Sequence, residues 1–377
     1  MRIGVDLLWV RPGENGGTES YIRNLLDGFQ EYIFDHTFVL FTSRDNVDTF
    51  RKYNTKQFEI VVCPVNTASF VRRVIWSNIH LYKYTKKQKI DVWFFPVYSR
   101  PFYIGHIPAA TVIHDLQGLH YPEYFSKIRN LYFRMSWKND CKRSNKIITI
   151  SEFCKKDIIQ NLPIDASGVE VIYNPISLSG NVNFDELSKK YGIKKGEYYY
   201  TVCSLAKHKN LITLLKAIKI LRNRGNNNKL VISGVSINAE DQLFDYIRKN
   251  SLEDMIVYTG FISNEERNTL YDNCKKFLFP SVFEGFGMPP IEAMIRGAST
   301  VTTMEPSLVE VTEGKADYVK NPLDAKEWAN LIERETPEVT KETQDLLFNK
   351  YSSKLVPEEY IRVLDAVRRY DKNDSEA

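Results

Sequence analysis

The sequence predicts an α/β protein with two parallel β-sheets. Strand-like apolar runs alternate with segments of helical length along most of the 377 residues, which is typical of β-α-β units. The alternation stops at Asn174-Pro175 and restarts at Tyr198, so we expect two Rossmann-like domains. A hydrophobic content of 43% is that of a globular chain, and the length is sufficient for two domains.

Short apolar runs predict the strands. Those of the first domain are Ile3–Trp9, Thr37–Thr42, Glu59–Val62, Asp91–Phe95, Ala110–His114, Lys146–Ile150 and Glu170–Tyr173. Those of the second are Tyr198–Cys203, Lys229–Ser233, Met255–Thr259, Lys276–Phe279 and Ser299–Thr303. The polar stretch 177–183 suits a linker between them. Ligands of open α/β sheets bind beyond the carboxyl ends of strands, so the loops there are the candidate binding segments.

Composition and charge exclude several classes of protein. The five cysteines have no paired spacing, so neither a zinc site nor a disulfide framework is expected. No apolar run approaches the roughly 20 residues that span a bilayer, and we expect a cytoplasmic protein. Residues 1–175 carry 23 Lys and Arg against 17 Asp and Glu. No helix-turn-helix, zinc or RNP-like pattern accompanies this surplus, so nucleic acid is not an expected partner.

The most informative stretch is Phe279–Met294, which contains two glutamates on either side of a glycine turn. Its loop follows a predicted strand, and its Pro-Pro pair suits the first positions of a helix. Glu284 is expected in the loop and Glu292 in the first helical turn. Acidic residues in a first turn are often structural, so Glu292 alone is ambiguous. Free N–H groups at the helix start attract anions, and the whole stretch suits a sugar that carries phosphate.

The string Pro-Ser-x-x-Glu-Gly-Phe-Gly-x-Pro-x-x-Glu-Ala in this stretch resembles the signature of retaining family 4 glycosyltransferases of the GT-B fold. Residues 111–155 also look like bacterial mannosyl- and rhamnosyltransferases of group 1 in that family. The resemblance implies that Glu284 contacts sugar hydroxyls and that Glu292 contacts the ribose of the donor. It also implies that the turn between them lies against the donor, namely Gly285, Phe286, Gly287 and Met288.

The family fold implies two Rossmann-like domains that face each other across a cleft. Residues 1–174 would bind the acceptor and residues 175–350 the nucleotide sugar. Residues 351–377 would form a final helix that crosses back to the first domain, with a frayed tail from Asp371. Tyr360, Val363, Leu364 and Val367 have the helical spacing that this requires.

A glycine pair near the start of the chain is a second candidate contact to the donor. Gly16 and Gly17 precede Thr18, a predicted helix cap, and glycines there allow a phosphate to approach the backbone closely. In the family this loop contacts the donor diphosphate. A Gly-Gly pair taken alone is equally typical of a plain turn.

The loop after Tyr198–Cys203 supplies cations. Lys209 precedes the predicted helix cap Asn210 and is the expected partner of the leaving diphosphate, while Ser204 lies in the same loop. The family commonly has Ser-Leu-x-Pro-Arg-Lys-Asn here, whereas this chain has Ser-Leu-Ala-Lys-His-Lys-Asn. Either Lys207 or His208 therefore replaces the arginine, or the second cation is missing. A solvated Lys207 is an equally good interpretation.

Two further residues complete the predicted site. His114 lies at the tip of a predicted strand, and in the resembled enzymes the His-Asp pair is beside the transferred sugar. A lone histidine is more often structural, but a strand end favours a ligand contact. Phe261 lies in Thr259-Gly-Phe-Ile-Ser263, which resembles the segment whose backbone contacts the base.

The residues indicate how such an enzyme would act. No two aspartates are two residues apart, so the Asp-x-Asp motif that holds a metal and diphosphate is lacking. We therefore expect no metal and no cofactor other than the donor itself, with charge stabilisation by Lys209 and backbone amides. Retention of configuration is implied by the resemblance alone. Catalytic roles are expected for His114, Glu284 and Lys209.

The segment 70–89 has six Lys and Arg residues and no acid, interleaved with aromatic residues. Such a helix can lie on an anionic membrane, where lipid-linked acceptors are found. The alternative is an ordinary helix that packs on the sheet through Val71, Ile75, Ile79 and Tyr82.

Three functions agree with these observations. The first is transfer of a hexose or deoxyhexose from a nucleoside-diphosphate sugar, with GDP-mannose favoured, to a glycan or lipid-linked acceptor in cell-surface polysaccharide synthesis such as O-antigen assembly. The second is a disaccharide synthase or phosphorylase of the same fold that acts on a small soluble sugar. The third is a non-catalytic homologue that binds nucleotide sugars, which the missing arginine near Lys209 would explain.

Overall fold

A computed structural model describes residues 1–31, 35–177, 179–234, 240–336 and 339–375. The chain divides into two compact units. Unit 1 consists of Met1–Pro175 with Tyr351–Ala377, and unit 2 consists of Ile176–Lys350. Leu178, in the predicted linker, is outside the described residues.

Unit 1 contains one parallel sheet of seven strands. They are β1 (Arg2–Asp6), β2 (Thr37–Thr42), β3 (Phe58–Val62), β4 (Val92–Phe95), β5 (Ala109–Val112), β6 (Lys146–Thr149) and β7 (Val169–Val171). Their order is β3-β2-β1-β4-β5-β6-β7, and Ile3 of β1 pairs with Phe38 on one side and Val92 on the other. The strand order reverses between β1 and β4, which makes their carboxyl ends a topological switch point.

Unit 2 repeats this arrangement with six strands. They are β8 (Tyr198–Val202), β9 (Lys229–Ser233), β10 (Ile256–Gly260), β11 (Lys276–Phe279), β12 (Thr300–Thr303) and β13 (Asp317–Val319). Their order is β10-β9-β8-β11-β12-β13, so β8 and β11 flank the second switch point. Strand β4 is buried along its whole length, which explains its continuous apolar sequence.

Helices accompany both sheets. They are α1 (Gly17–Glu31), α2 (Phe70–Gln88), α3 (Gln117–His120), α4 (Lys127–Arg143), α5 (Glu152–Asn161), α6 (Phe184–Tyr191), α7 (Leu211–Asn223), α8 (Glu240–Lys249), α9 (Asn264–Asn273), α10 (Met288–Ile295), α11 (Pro306–Val311), α12 (Ala325–Glu333), α13 (Lys341–Lys350) and α14 (Leu355–Ser375). None of the helices in the described ranges is both long and apolar enough to cross a lipid bilayer.

The last helix, α14, packs within unit 1 against α1, β4 and β5. Its contact with α1 is close at Gly28, where an added Cβ would come within 2.5 Å of Pro357 Cγ on α14. The Tyr21 hydroxyl on α1 donates a hydrogen bond of 2.9 Å to the Tyr360 hydroxyl on α14. The helix continues to Ser375, beyond the predicted start of a frayed tail at Asp371, and the last two residues are not described.

Several predicted element bounds are wrong. The first strand ends at Asp6 and not at Trp9, because the Asp6 carboxylate accepts the Leu8 amide and turns the chain. Helix α1 begins at Gly17, so Thr18 lies inside it and is not its cap. The short strand β13 was not predicted, since Asp317-Tyr-Val has too few apolar residues to stand out.

The alternative interpretation of α2, as a helix that packs on the sheet through Val71, Ile75 and Ile79, is contradicted by the exposure of these residues. The buried side chains of α2 are Ser77, Leu81 and Thr85, and the Thr85 hydroxyl accepts a 3.2 Å hydrogen bond from the Trp93 indole. Val71, Ile75 and Ile79 are 50%, 53% and 59% exposed. The helix therefore presents an aliphatic stripe to solvent.

Candidate active site

The loops after β8 and β11 carry most of the predicted site residues. These strands are hydrogen-bonded neighbours, with Lys276 opposite Tyr199 and Phe277 opposite Tyr200. The two loops are joined by backbone bonds, because the Val282 amide donates to the His208 carbonyl oxygen over 2.9 Å. Ser281 donates its hydroxyl to the same oxygen over 3.2 Å. The two loops at the switch point of unit 2 are thus held together by hydrogen bonds.

Lys209 and Glu284 form an ion pair at this point. The lysine Nζ donates to Glu284 Oε1 and also lies over the Phe279 ring, 5.4 Å from its centroid. Their side chains are only 16% and 13% exposed, so the pair is weakly screened by water. An ammonium has three donor hydrogens, and a carboxylate has about four acceptor positions. The pair therefore retains free hydrogen-bonding capacity toward a ligand.

The two candidates for a second cation beside this pair, Lys207 and His208, differ in charge. Burial, followed by the nearby Lys209 charge, lowers the pKa of His208 to about 4. His208 is therefore neutral near pH 7 and does not replace the family arginine as a cation. Lys207 is exposed in the short 3-10 helix Lys207–Lys209. Of the two candidates, only Lys207 brings a second positive charge to the loop.

Glu292 is held inside unit 2 by two neighbours. Its Oε1 accepts from Arg267 Nη2 over 3.3 Å, and its Oε2 accepts from the Tyr271 hydroxyl over 3.0 Å. Its side chain is 5% exposed. It is the fifth residue of α10 and not part of the first turn as predicted, because the helix begins at Met288. Its partners Arg267 and Tyr271, both on α9, were missed because no local sequence signal links them to Glu292.

The glycine turn has a steric requirement at Gly287. This residue has φ of +95°, and a Cβ there would lie 2.4 Å from Leu308 Cδ2. The Ser307 hydroxyl donates a 2.7 Å bond to the Glu284 carbonyl oxygen and ties α11 to the loop. Gly285, Phe286 and Met288 complete the turn, and the last two side chains are buried.

A third acidic residue, Glu305, lies near Glu284 and was not predicted. Burial, followed by the Glu284 charge, raises the pKa of its carboxyl. The remaining predicted donor contacts of unit 2 are Ser204, which is half-buried just after β8, and Phe261, which is 73% exposed just after β10.

In unit 1 the glycine loop follows β1. Gly16 has φ of +54°, and nothing lies within 4 Å of an added Cβ, so its backbone faces open space. Glu19, in the first turn of α1, accepts from the Gly13 amide over 2.8 Å and from Arg23 over 2.7 Å. This buried glutamate fixes the loop ahead of Gly17. Sequence reasoning missed it, although an acidic residue in a first helical turn was a usable signal.

His114 lies two residues beyond the end of β5, and not within the strand as predicted. It is 8% exposed, its Nε2 is 2.8 Å from the Pro96 carbonyl oxygen, and its ring packs edge-on against Tyr21 at 4.8 Å. Burial lowers its pKa to about 4, so the imidazole is neutral near pH 7. A neutral ring that donates from Nε2 to Pro96 leaves Nδ1 as an acceptor.

Within the described ranges, no group of three or more His, Cys, Asp and Glu side chains is arranged to hold a metal ion. The five cysteines are free thiols.

Two models of known protein families match this chain, one in each half. The family model described as Glycosyltransferase Family 4 matches residues 15–179, and the model described as Glycosyl transferases group 1 matches residues 183–335. The chain belongs to glycosyltransferase family 4, group 1. Both glycine loops and the Glu284–Glu292 stretch fall inside the matched regions.

Curated relatives of this family 4 chain include two bacterial enzymes. The O-antigen chain mannosyltransferase RfbU of Salmonella typhimurium is 29% identical over 226 residues, which are 59% of each chain. The O-antigen chain mannosyltransferase B of Escherichia coli is 29% identical over 60% of this chain and 62% of its own. The match thus spans about three fifths of the length of these relatives.

Solved structures show the GT-B fold. Anabaena Alr3699/HepE, crystallised with UDP and glucose, aligns over 97% of this chain and 100% of its own, with a TM-score of 0.76 and 18% identity. Sucrose-phosphate synthase from Thermosynechococcus elongatus aligns over 100% of this chain and 98% of its own, with a TM-score of 0.71 and 15% identity. The expected fold of two Rossmann-like domains is confirmed.

Proposed function

We propose that this family 4 protein transfers a hexose or deoxyhexose from a nucleoside-diphosphate sugar to a glycan or lipid-linked acceptor. The proposed setting is the synthesis of a cell-surface polysaccharide. The observation that carries the proposal is the Lys209–Glu284 pair at the switch point of unit 2, where parallel sheets bind their ligands. A mannose donor, and GDP-mannose in particular, is favoured because the O-antigen relatives are mannosyltransferases by name.

The proposed chemistry needs a stabilised leaving group. As the bond from the sugar C1 to the diphosphate oxygen breaks, negative charge grows on the diphosphate. Lys209 Nζ would meet that charge, with Lys207 as a second cation and the amides of the glycine loops as further donors. Glu284 would hold Lys209 in place and accept hydrogen bonds from sugar hydroxyls.

The acceptor hydroxyl would attack C1 from the face that the diphosphate leaves, and a diphosphate oxygen would take its proton. This course gives retention of configuration. His114 would contribute as a neutral imidazole beside the sugar, since burial keeps it uncharged. Glu292 would accept from the ribose through the acceptor positions that Arg267 and Tyr271 leave open.

We further propose that the reaction needs no divalent metal, because the positive charge of Lys209 and Lys207 substitutes for it. The test is the initial rate with EDTA against the rate with added Mg²⁺ or Mn²⁺. Equal rates are expected, and a rate that requires the metal would refute this part of the proposal.

We propose that the protein acts in the cytoplasm and contacts a membrane peripherally through residues 70–89. The exposed Val71, Ile75 and Ile79 on α2 support that contact, since they can enter the headgroup region of a bilayer.

The first experiment is a thermal-shift screen against GDP-, UDP-, dTDP- and ADP-sugars. A donor at 100 times its dissociation constant is expected to add about 2.7 kcal/mol to the free energy of unfolding. Slow hydrolysis of that donor without acceptor would argue against a non-catalytic homologue. NMR of the first product is expected to show the donor's anomeric configuration, and an inverted centre would refute retention. No stabilisation by any of the sugars would refute the proposed donor class.

A further inference from the structure

The largest group of exposed apolar side chains in unit 1 lies on α2, on α4 and in the loop after β4. Val71, Ile75 and Ile79 are on α2, Ile128, Leu131 and Met135 are on α4, and Phe102 and Tyr103 are in the loop. Their exposures range from 45% to 69%. On α4 the three residues are three and four positions apart, so they lie on one helical face.

These elements are neighbours. The Phe70 and Tyr132 rings meet edge-on at 4.8 Å, which joins the start of α2 to the second turn of α4. The Phe102 amide donates a 2.8 Å bond to Asn78 Oδ1 of α2, and the Tyr103 ring lies 5.0 Å from the Tyr82 ring. The exposed side chains of α2, α4 and the loop therefore belong to adjoining parts of unit 1. We call them the two-helix surface.

All the exposed charged side chains of both helices are positive. Helix α2 carries Arg72, Arg73, Lys83, Lys86 and Lys87 with no acid, and α4 carries Lys127, Arg129, Arg134, Lys138, Lys142 and Arg143. The single acid of α4, Asp140, is fully buried. Among the residues that the structure describes, none of these cations forms an ion pair.

Apolar and cationic side chains share the exposed face of α4. Lys127, Arg134 and Lys138 follow the same helical spacing as Ile128 and Leu131, and all five are exposed. A face built to pack on protein would bury its apolar residues away from so many cations without acidic partners, whereas an anionic lipid surface accepts both. Phosphate headgroups would pair with the cations while the aliphatic side chains enter the acyl boundary.

We infer that the two-helix surface binds an anionic lipid bilayer and that α4 contributes as much to this binding as α2. The inference rests on the proposed membrane contact of α2 and extends it to a second helix. It does not depend on the identity of the donor or on the transfer reaction. With two helices at the bilayer, a lipid-linked acceptor would reach unit 1 by diffusion in the plane of the membrane.

The test is flotation of the full-length protein with vesicles of phosphatidylcholine alone or with 30% phosphatidylglycerol, about a third of the lipid being anionic. Two α4 variants separate the contributions: Ile128→Gln with Leu131→Gln removes apolar contact, and Arg134→Gln with Lys138→Gln removes charge. Ile75→Gln with Ile79→Gln is the α2 variant. Leu323→Gln and Lys315→Gln, at exposed positions of unit 2, are matched controls. All these positions are on the surface, so folding is expected to be unaffected.

The expected result is selective binding to the anionic vesicles that weakens as salt increases. Removal of two cations is expected to lower partitioning about 25-fold, since one basic residue at an anionic surface is worth about fivefold. The apolar variants of α4 and α2 should lose similar amounts, and the controls none. Binding by the α4 variants as strong as that of the wild type would overturn the inference while leaving the α2 contact intact. Equal binding to neutral vesicles would overturn the charge argument.

Two other outcomes would also overturn the inference. One is a wild-type protein that binds no vesicles at low salt. The other is a wild-type dimer in solution that the α4 variants dissociate, because the surface would then be an interface between two copies. Donor hydrolysis measured on the same samples without vesicles keeps this test separate from that of the proposed function.

Discussion

The two units share one topology and differ in the chemistry at their switch points. In unit 2 the loops after β8 and β11 bring together an ammonium and a carboxylate, Lys209 and Glu284, which are mostly shielded from water. In unit 1 the loops near β1 and β5 present an open glycine turn and a neutral, buried His114. The same strand order thus supports a lysine–glutamate ion pair at the site of one unit and a neutral imidazole at that of the other. We expect the ion pair and the glycine amides to bind the anionic donor, and the neutral imidazole of His114 to orient hydroxyl groups.

The strongest test of this contrast is to substitute Lys209, Glu284 and His114 one at a time. Lys209→Met and Glu284→Gln are each expected to lower kcat by about 10²–10³, since each removes charged stabilisation at the reacting centre. His114→Ala is expected to cost about tenfold, the worth of one neutral hydrogen bond. Initial rates of donor hydrolysis and of transfer provide the measurement. Lys190→Met, which breaks the exposed pair with Glu266, is the matched control and should be nearly neutral.

A larger effect of His114→Ala than of Lys209→Met would break the contrast, because the neutral imidazole would then contribute more to catalysis than the ammonium.

The two glycine turns allow a second comparison. Gly287→Ala places a methyl group against Leu308 in a left-handed conformation and is expected to lower the free energy of unfolding by about 2–3 kcal/mol. Gly16→Ala meets no atom within 4 Å, so only the conformational cost of about 1–2 kcal/mol remains. Urea unfolding of both variants measures the difference. Equal losses would show that the turn of unit 2 is no more constrained than that of unit 1.

Each unit also contains a histidine with a lowered pKa, His114 in one and His208 in the other. Burial holds each pKa at about 4 in the folded protein, against about 6.5 in the unfolded chain, so the unfolded chain binds more protons as the pH falls below 6.5. Each histidine should therefore lower the stability by about 2 kcal/mol between pH 7 and pH 5. Urea unfolding at both pH values is expected to show a smaller pH dependence in His114→Gln and in His208→Gln.

An unchanged pH dependence in one of these variants would mean that its histidine is solvated, and the two switch points would then differ in burial as well as in charge.

The smallest expected effect is the coupling energy between the Tyr21 and Tyr360 hydroxyls, which link His114 to the last helix. Tyr21 packs on His114 and donates to Tyr360, and both hydroxyls are buried. Tyr360→Phe alone leaves the Tyr21 hydroxyl unpaired and should cost about 1–3 kcal/mol, whereas Tyr21→Phe with Tyr360→Phe should cost less than the sum of the single changes. Thermal unfolding of the four proteins completes the cycle. Strictly additive losses would show that the two hydroxyls do not interact.

Much of this architecture could be predicted from the sequence, because buried parallel strands consist mostly of apolar residues. Thr37–Thr42, Lys229–Ser233 and Lys276–Phe279 were predicted to the residue. The strand β13 was not, since its three residues are short and partly polar. Helix α2 was recognised, but the direction of its apolar stripe was not, because Val71, Ile75 and Ile79 have the spacing of a core face and only the fold shows that the face is exposed.

The site was predictable as far as local motifs extend. The Glu284 loop and Lys209 each follow a strand in a recognisable pattern, but nothing local indicates that the two side chains form an ion pair across 75 positions. The partners of Glu292 on α9, and Glu305 beside Glu284, depend in the same way on tertiary contacts. The protonation states of His114 and His208 follow from burial, which the sequence does not report.

The central claim is that Lys209 holds the diphosphate of the donor, and calorimetric titration of matched nucleotides tests it most directly. The ligands are the nucleoside diphosphate and the nucleoside monophosphate of the base selected in the donor screen, with the wild-type protein, Lys209→Met and the control Lys190→Met. We predict that Lys209→Met weakens diphosphate binding about 10- to 100-fold, the worth of a charged hydrogen bond, and leaves monophosphate binding unchanged. Wild-type affinity of Lys209→Met for the diphosphate would contradict the account.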